Sequence, residues 1–425
     1  MRKIYLVVAL TILFFSSQAQ VKILFDATKA ETAANADWVV DADLYNLGYN
    51  STGAMVTGAG NEANPQRIPT LAQSGITATT SETYWKGALS NWGIDLARRG
   101  YTIETLPYNG QITYGVTTNA QDLSNYKVFI MDEPNIKFTT AEKTALMNFV
   151  QNGGGLFMIA DHAVSDRNND GWDSPMIFND FFSTNSVKVN PFGITFDAAN
   201  FSQTTSNVLA TTANAILKGP AGTVTGLQFS NGNTMTLNRT ANSTAKGLIF
   251  KTSSSTTGTT NAMFAVATYG NGRVCGLGDS SVPDDGTGDV NDALYSSYAT
   301  SVSGSHQKLL INAVLWLAGA TSGVKEVASD YSSAAIQPRL ASAVQGITVY
   351  PNPANDRIVI NGFQNQDNAH LSLLDMTGRI VVDVNVSIDN GSVAYELNRT
   401  VLPAGIYFLN INAGDESKMI RLVLN

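Results

Sequence analysis

The sequence predicts an α/β protein, namely a flavodoxin-like parallel sheet covered by helices, with a β-rich insertion and a small C-terminal all-β sandwich. Short apolar runs typical of buried strands alternate with helical patterns through the first half of the chain, and this alternation indicates a parallel sheet. Residues 345–425 instead contain short stretches in which apolar and polar residues alternate, as they do in the strands of an all-β module.

Each predicted strand is an apolar run bounded by polar or glycine residues, and each predicted helix repeats its apolar residues at helical spacing. The predicted strands cover residues 21–25, 101–106, 127–131, 155–160, 262–267 and 270–277, and the predicted helices cover 81–98, 139–150 and 307–317. Residues 190–262 are rich in Thr, Ser, Asn and Gly, which favours a β-rich insertion over a separate domain. Residues 41–80 show no clear period and are interpreted as a long excursion or a lid.

The N-terminus has the features of a secretory signal peptide. Arg2 and Lys3 precede an apolar run, and small residues lead to a predicted cleavage after Ala19. The apolar run is short for a membrane span, and no later segment is long enough to cross a bilayer. The sequence therefore predicts an exported chain without a transmembrane segment. Its predicted parts are a signal peptide (1–19), an α/β body (20–320), a linker (321–344) and an all-β tail (345–425).

The charge balance restricts the class of partner. The formal net charge is −8, and it becomes −10 once Arg2 and Lys3 leave with the signal peptide. An acidic chain of this kind is not expected to bind nucleic acid or anionic membranes, whereas it suits divalent cations, neutral glycans or basic ligands. The single cysteine, Cys275, excludes an internal disulfide and is predicted to be a small buried hydrophobe.

The candidate catalytic site follows the glycine turn at 153–155. The apolar run after this turn stops abruptly at Asp161 and His162, and ligands in open α/β sheets bind beyond the carboxyl ends of the strands. Other acids follow other predicted strands at the same edge, and we expect them to assist Asp161 and His162 in acid–base chemistry. These assisting acids are Asp26, Glu31 and Asp279. The alternatives are that Asp161 only caps a turn and that His162 only holds its loop by hydrogen bonds.

Two polar loops contain candidate substrate-binding residues. Asn35, Asp37 and Trp38 follow the first strand, and Trp172 lies in the loop after Asp161. Aromatic residues in polar loops often mark binding surfaces, so both tryptophans are predicted to stack on a sugar ring.

The loop after His162 also resembles half of a calcium-binding loop. Asp166, Asn168 and Asp170 alternate and precede a glycine, as in the first half of an EF-hand loop. Position twelve of such a loop would be Ile177, which cannot ligate, so a Ca²⁺ ion would need Asp173 or a distant acid. A solvated Asn/Asp-rich turn is the alternative. No organic cofactor is predicted.

The tail resembles the C-terminal sorting domain of the type IX secretion system of Bacteroidetes. The resemblance rests on residues 349–354, 374–379 and 402–407 and on the basic finish at Lys418. It implies that the type IX machinery recognises the tail and exports the protein from the periplasm across the outer membrane. The protein is then secreted or held at the outer cell surface.

The body resembles the class I glutamine amidotransferase-like fold, nearest to the ThuA-like trehalose-utilisation group. The resemblance covers residues 21–320 and rests on the 153–155 turn with its histidine-bearing loop, on 270–274 and on 316–319. Gly278-Asp279 stands where that group has Gly-His, and no cysteine follows the central strand. The resemblance therefore implies the fold and not amidotransferase chemistry.

These observations together predict a secreted or cell-surface hydrolase of glycosidase type that acts on an extracellular carbohydrate through Asp161 and His162. Two alternatives stay open. The first is a non-catalytic surface protein that binds glycans or mediates adhesion on the same fold. The second is a metal-dependent esterase or amidase at the same site.

Overall fold

The computed structural model describes residues 20–33, 36–42, 48–49, 55–56, 66–286, 297–299, 301, 304–319, 348–363, 368–374, 380–399, 402–413 and 416–425. Asn35 and much of the predicted 41–80 excursion lie outside the described residues. The chain divides into two compact units, Met1–Ala328 and Ser329–Asn425, and each is described by itself.

The N-terminal unit contains strands and helices in mixed order. Its strands are β1 (Lys22–Asp26), β2 (Thr32–Ala33), β3 (Ala36–Asp37), β4 (Gly48–Tyr49), β5 (Met55–Val56), β6 (Thr102–Leu106), β7 (Val128–Asp132), β8 (Gly155–Ile159), β9 (Ile194–Thr205), β10 (Lys218–Gly219), β11 (Gly222–Thr223), β12 (Leu227–Leu237), β13 (Lys246–Phe250), β14 (Ala262–Tyr269) and β15 (Gly272–Leu277). Its α-helices are α1 (Ser90–Arg98), α2 (Thr140–Gln151), α3 (Ser174–Thr184) and α4 (His306–Leu317).

The described residues form a nine-stranded sheet in the order β6-β1-β7-β8-β15-β14-β12-β9, with β13 paired to β14. The pairs from β6 to β15 are parallel, which gives the flavodoxin-like core that the sequence predicts. The sheet as a whole is mixed, because β14, β12 and β9 continue it in antiparallel fashion. The strands of the predicted insertion are therefore part of the central sheet.

The helical pattern predicted from Ser81 onward is interrupted in the structure. A short 3-10 helix covers Glu82–Tyr84, and α1 begins only at Ser90. Between them the backbone N–H of Leu89 donates to the carbonyl of Val39 at 3.0 Å, so this segment bonds to a neighbouring loop instead of to its own turn. A side chain at Gly87 would collide with that same carbonyl, which explains the glycine.

Helices cover both faces of the sheet. One core packs α1 and α4 against it, and the other packs α2 and α3. Trp92 of α1 lies edge-on between Phe25 and Phe157, with ring centroids 5.4 and 5.7 Å away. Cys275 is fully buried, as predicted. Helix α3 was not predicted, although Asp173 and Pro175 are typical of a helix start.

The C-terminal unit is all β. Its strands are β16 (Thr348–Tyr350), β17 (Arg357–Asn361), β18 (Asn368–Leu374), β19 (Ile380–Ser387), β20 (Ser392–Glu396), β21 (Gly405–Ala413) and β22 (Glu416–Leu424). They form sheets in the orders β16-β17-β20 and β19-β18-β21-β22. Apolar residues of both sheets share one core, which makes the unit a small sandwich. No helix among the described residues is long and apolar enough to cross a membrane.

Candidate functional site

Acidic side chains gather where the parallel strands end. Asp132 is the last residue of β7, while Asp161 and Asp279 follow the ends of β8 and β15. Asp132 pairs with Ile159, which also pairs with Leu277, so the three strands end at nearly the same level. This edge adjoins the point where the chain passes from one side of β1 to the other, which is where open α/β sheets bind ligands.

Glu133 connects the loops that follow four of these strands. Its Oε2 accepts hydrogen bonds from the Trp38 indole N–H and the Ser280 hydroxyl, both at 2.8 Å. Its Oε1 accepts a bond from Nε of Arg167 at 3.0 Å. The side chain is fully buried. Residues that follow β1, β7, β8 and β15 thus meet at one carboxyl group.

The backbone at Glu133 is strained. Its φ is +47°, in the left-handed region that non-glycine residues rarely occupy. The N–H of Glu133 donates to the carbonyl of Ile159, and its own carbonyl accepts a bond from the Asn135 amide at 2.9 Å. Strain of this kind persists only where the surroundings determine the conformation, and it is concentrated at functional sites.

Asn135 holds three loop segments together. Its amide nitrogen donates to the carbonyls of Ala30 at 3.0 Å and Thr32 at 3.3 Å as well as to Glu133. Its side-chain oxygen accepts a bond from the backbone N–H of Arg167 at 3.1 Å. This buried side chain therefore fixes the spacing of the loops around Glu133.

The guanidinium of Arg167 lies between two carboxyl groups. Its Nε contacts Glu133, and its Nη2 contacts Oδ2 of Asp161 at 3.1 Å. The side chain of Arg167 is 27% exposed, whereas both acids are buried. A single positive charge neutralises only one of the two carboxylates, so the other has reason to keep a proton.

The surroundings of Asp161 favour its protonated form. Burial raises its pKa well above the usual value, and the charges of Glu133 and Asp279 raise it further against the effect of Arg167. Nε2 of His162 lies 3.5 Å from Oδ2 of Asp161, and Nδ1 of the same ring contacts the carbonyl of Ala163 at 2.8 Å. The half-buried His162 forms the more accessible side of the site.

Asp26 and Glu31 form a second buried acid pair. The charge of each carboxyl group disfavours ionisation of the other, so one of the two has reason to keep a proton. Burial raises the pKa of both, and the charge of Asp26 raises that of Glu31 further. Backbone N–H groups of Thr28 and Lys29 donate to the outer oxygens at 3.0 Å. The pair therefore organises the loop after β1, and no described contact joins it to Asp161.

Asp279 is held by donors from two segments. It accepts bonds from the backbone N–H of Ser281 at 2.9 Å, from the Ser281 hydroxyl at 2.5 Å and from the backbone N–H of Ser230. Burial raises the pKa of Asp279 to about 6, although these hydrogen bonds act in the opposite direction.

The predicted substrate-binding residues lie mostly inside the protein. Trp38 is 1% exposed and orients Glu133, so its ring is not presented to a sugar. Asp37 is buried and accepts a bond from the Thr32 hydroxyl at 2.9 Å. Trp172 is half-buried, and Nζ of Lys137 lies 3.5 Å from its ring centroid, so the lysine covers one face of the ring.

The predicted calcium loop uses its oxygens within the turn. Asp166 accepts bonds from the backbone N–H groups of Asp170 and Gly171, at 3.0 and 2.7 Å. The amide of Asn168 donates to Asp170 at 3.2 Å, and Asp173 caps α3 through the N–H of Met176. In the described part of the chain, no three His, Cys, Asp or Glu side chains converge as metal ligands. Calcium binding by this loop stays a prediction.

The site residues predicted from the sequence do not include Glu133, Arg167, Asn135, Asp132 or Ser280. A signal was present, because Asp132-Glu133 ends an apolar run in the same way as Asp161-His162 does. An acid pair followed by proline at a strand end marks a chain that leaves the sheet in a restricted conformation.

Comparison with known families bears on the C-terminal unit. Residues 348–425 match the model of the family described as "Secretion system C-terminal sorting domain". The tail is a type IX sorting domain. It directs export to the cell surface or secretion and implies contact with the type IX machinery, as the sequence predicts. No family match confirms the ThuA-like resemblance of the body, and no curated protein matches the chain.

Several solved structures share low similarity with the chain. The mmIFT52 N-terminal domain is 14% identical, with 70% of this chain and 97% of that chain covered and a TM-score of 0.40. A cytoplasmic protein of Salmonella typhimurium, STM3548, is 11% identical over 70% of this chain and 99% of that chain, with a TM-score of 0.35. Dimeric latent PorU from Porphyromonas gingivalis is 17% identical over 18% of this chain and 9% of that chain, with a TM-score of 0.16.

Proposed function

We propose that this protein is a secreted or cell-surface hydrolase that acts on an extracellular glycan, with Asp161 as the proton donor. The observation that carries the proposal is the arrangement of Asp161 and Glu133 on one guanidinium, at 3.1 and 3.0 Å. Two carboxyl groups with different protonation are what hydrolysis of a glycosidic bond requires.

The roles follow from the surroundings of each group. Asp161 keeps its proton because burial and the neighbouring charges of Glu133 and Asp279 raise its pKa, so it can protonate a leaving-group oxygen. Glu133 is the carboxylate partner, oriented by Trp38 and Ser280. His162 borders Asp161 on the half-buried side, where it can accept or pass on a proton.

The substrate class follows from the location of the protein and from charge. The sorting tail places the protein at the cell surface or outside the cell, where polysaccharides are available as substrates. The acidic edge repels polyanions, so a neutral or basic glycan is the favoured substrate. Because Trp38 is buried, Trp172 or residues outside the described part of the chain would have to stack on the sugar.

The test is release of reducing ends by the purified exported chain from a panel of neutral, acidic and amino-sugar polysaccharides. Asp161→Asn should reduce turnover by about 10²- to 10⁴-fold, the usual contribution of a general acid. Asp166→Asn in the adjoining turn is the control and should retain most activity. Release that is equal in Asp161→Asn and wild type would overturn the assignment.

One observation favours a second candidate, a non-catalytic glycan-binding protein. Arg167 engages both Glu133 and Asp161, so both acids can be explained as anchors for their loop. In that case wild type retains a glycan in a pull-down without releasing product, and Asp161→Asn weakens retention only.

A further inference from the structure

Side chains of β9 and β12 hold the backbone on both sides of His162. The amide of Asn200 pairs with Ala163 in both directions, since the N–H of Ala163 donates to Oδ1 at 2.8 Å and Nδ2 donates to the carbonyl of Ala163 at 3.1 Å. The amide of Asn233 donates to the carbonyl of Asp161. Asn200 and Asn233 are partners in the register of β9 and β12. One cross-strand pair of asparagines therefore fixes the two residues that flank His162.

The path of the chain after His162 is determined at further points. Asn233 is fully buried, and its backbone N–H donates to the carbonyl of Gly278, just after β15, at 2.7 Å. Val164 has a φ of +61°, which a β-branched residue rarely adopts, and its N–H donates to Oδ2 of Asp173 at 2.7 Å. Strain of this kind persists only where the surroundings determine the conformation. The position of the His162 ring is thus set by neighbouring strands as well as by its own loop.

These contacts determine which ring nitrogen of His162 carries the hydrogen. The N–H of Ala163 can only donate, so Oδ1 of Asn200 faces it and the amide nitrogen faces the carbonyl. Nδ1 of His162 lies 2.8 Å from the same carbonyl, which can only accept and has two lone pairs for the two donors. The neutral imidazole therefore carries its hydrogen on Nδ1, and the lone pair is on Nε2.

We propose that Asn200 and Asn233 are positioning residues that hold His162 in the Nδ1–H tautomer, with Nε2 as a proton acceptor beside Asp161. Nε2 lies 3.5 Å from Oδ2 of Asp161. Catalytic contacts of this length often tighten when substrate binds. The strands that extend the sheet in antiparallel fashion thereby contribute to the site at the ends of the parallel strands.

The tautomer provides a route by which Asp161 regains its proton, and this role rests on the proposed hydrolase. Asp161 gives its proton to the leaving-group oxygen and becomes a carboxylate. Nε2 of His162, on the half-buried side, accepts a proton from solvent and passes it to that carboxylate. The attacking water releases one proton to solvent as its oxygen bonds to the sugar carbon, so the protons balance. The Nε2–H tautomer has no lone pair on Nε2 and cannot accept the proton there.

The experiment is a long-range proton–nitrogen NMR spectrum of the exported chain labelled with nitrogen-15 at its histidines. It is recorded at about pH 9, where an unperturbed imidazole is neutral. Wild type should show His162 with a protonated Nδ1 and a bare Nε2, and His162→Gln identifies these signals by their loss. Asn200→Ala should give His162 a substantial share of the Nε2–H form, because the Ala163 peptide loses both of its bonds to the amide.

Turnover provides the second measurement. Asn200→Ala should lower kcat about tenfold with little change in KM, as expected for the loss of a residue that orients a functional histidine. The side chain of Asn200 is exposed, so its truncation leaves the core of the fold intact.

Asn179→Ala is the matched control. The amide of Asn179 pairs in the same two-way manner with the backbone of Phe196, also on β9, at 2.8 and 3.0 Å, and no described contact joins it to residues 161–164. This variant should leave the signals of His162 and the turnover unchanged. The same change of tautomer in Asn179→Ala would assign it to loosening of β9 and overturn the proposal.

Two other spectral results would overturn it as well. The first is a wild-type His162 with its hydrogen on Nε2, and the second is an unchanged tautomer in Asn200→Ala. A changed tautomer with unchanged kcat would refute the role in turnover. If wild type releases no product from any glycan, the hydrolase assignment fails, whereas the spectra still decide whether Asn200 holds the tautomer.

Discussion

The indole N–H of Trp38 donates to Oε2 of Glu133 at 2.8 Å across 95 residues of chain. Both side chains are buried, and the bond links the loop after β1 to the end of β7. Hydrogen bonds to charged groups are about twice as strong as those between neutral ones. This contact therefore makes Trp38 a positioning residue for the candidate site.

Replacing Trp38 with Phe should cost more stability than the same change at Trp85. Trp38→Phe leaves Glu133 with one donor fewer and should lower the free energy of unfolding by about 1.5–3 kcal/mol. Trp85 is equally buried, but its indole donates to the neutral carbonyl of Leu71 at 3.0 Å, so about 0.5–1.5 kcal/mol is expected for that hydrogen bond. Urea unfolding of both variants measures the difference. Equal losses would show that the hydrogen bond to Glu133 stabilises the protein no more than the hydrogen bond from Trp85 to the carbonyl of Leu71.

The guanidinium of Arg167 should contribute most to stability when Asp161 has lost its proton. Arg167→Met leaves Glu133 and Asp161 without a cation and should destabilise the protein by about 1–4 kcal/mol near pH 7.5, between the ranges for exposed and buried pairs. The loss should be larger at pH 9.5, where more of Asp161 is ionised despite its raised pKa. Thermal unfolding at the two pH values provides the comparison. A loss that does not change with pH would indicate that Arg167 acts through packing alone.

The stabilising contribution of Asp279 should fall as the pH rises from 4 to above 6, whereas buried His306, whose pKa is lowered by burial to about 4, contributes in the opposite direction. The pKa of Asp279 is about 6 in the folded protein and 3.8 in the unfolded chain. The folded state therefore holds this proton more tightly than the unfolded state does. Its contribution is present below pH 3.8 and is lost as the pH rises through 6, with a size on the order of 2–3 kcal/mol. Asp161 has a raised pKa and acts in the same direction.

Melting temperatures of wild type and Asp279→Asn between pH 4 and 8 check this dependence. The variant should be less stable at low pH, because an amide cannot accept all the bonds from Ser230 and Ser281. Its loss of stability relative to wild type should become smaller as the pH rises from 4 to 8, because the contribution of the Asp279 proton to wild type disappears over that range. Parallel curves would assign the dependence to other groups.

Much of the fold and part of the site could be predicted from the sequence, because strand ends are visible in it. The apolar runs that end at Asp26, Asp161 and Asp279 placed these acids at one sheet edge. The antiparallel extension was harder to predict. Polar strands such as β9 alternate buried and exposed residues, but this pattern does not indicate which strand is their neighbour in the sheet.

The contacts of the site could not be predicted because they join distant segments. Glu133 meets Trp38 and Ser280 only through the three-dimensional path of the chain. A tryptophan in a polar loop gives no indication of whether its ring faces solvent or the interior. Pattern alone thus predicted a sugar-stacking Trp38, whereas the structure shows that its N–H orients an acid.

The sorting tail should be required for passage across the outer membrane. Deletion of residues 348–425 removes the matched domain and should leave the protein in the periplasm. Immunoblots of periplasmic, surface and medium fractions measure this, with the full chain expressed in parallel. Surface exposure of the deleted form would show that another segment directs export.

Asn135→Asp should be among the most damaging single-atom changes at the site. The aspartate has nearly the same shape but replaces an amide donor with an oxygen that faces the carbonyls of Ala30, Thr32 and Glu133. It also adds a negative charge beside Glu133. The free energy of unfolding should fall by more than about 3 kcal/mol, because several buried polar groups lose their donor at once.

Asn179→Asp is the matched comparison for this change. Asn179 donates to the carbonyl of Phe196 at 2.8 Å and accepts from the N–H of the same residue, but it lies outside the acidic edge and is only partly buried. Its replacement should lower the free energy of unfolding by about 1–2 kcal/mol, because one hydrogen-bonded pairing is lost. Denaturant unfolding of both variants compares them. If Asn135→Asp cost no more than Asn179→Asp, the loops around Glu133 would not depend on the Asn135 amide, and the strained backbone there would need another support.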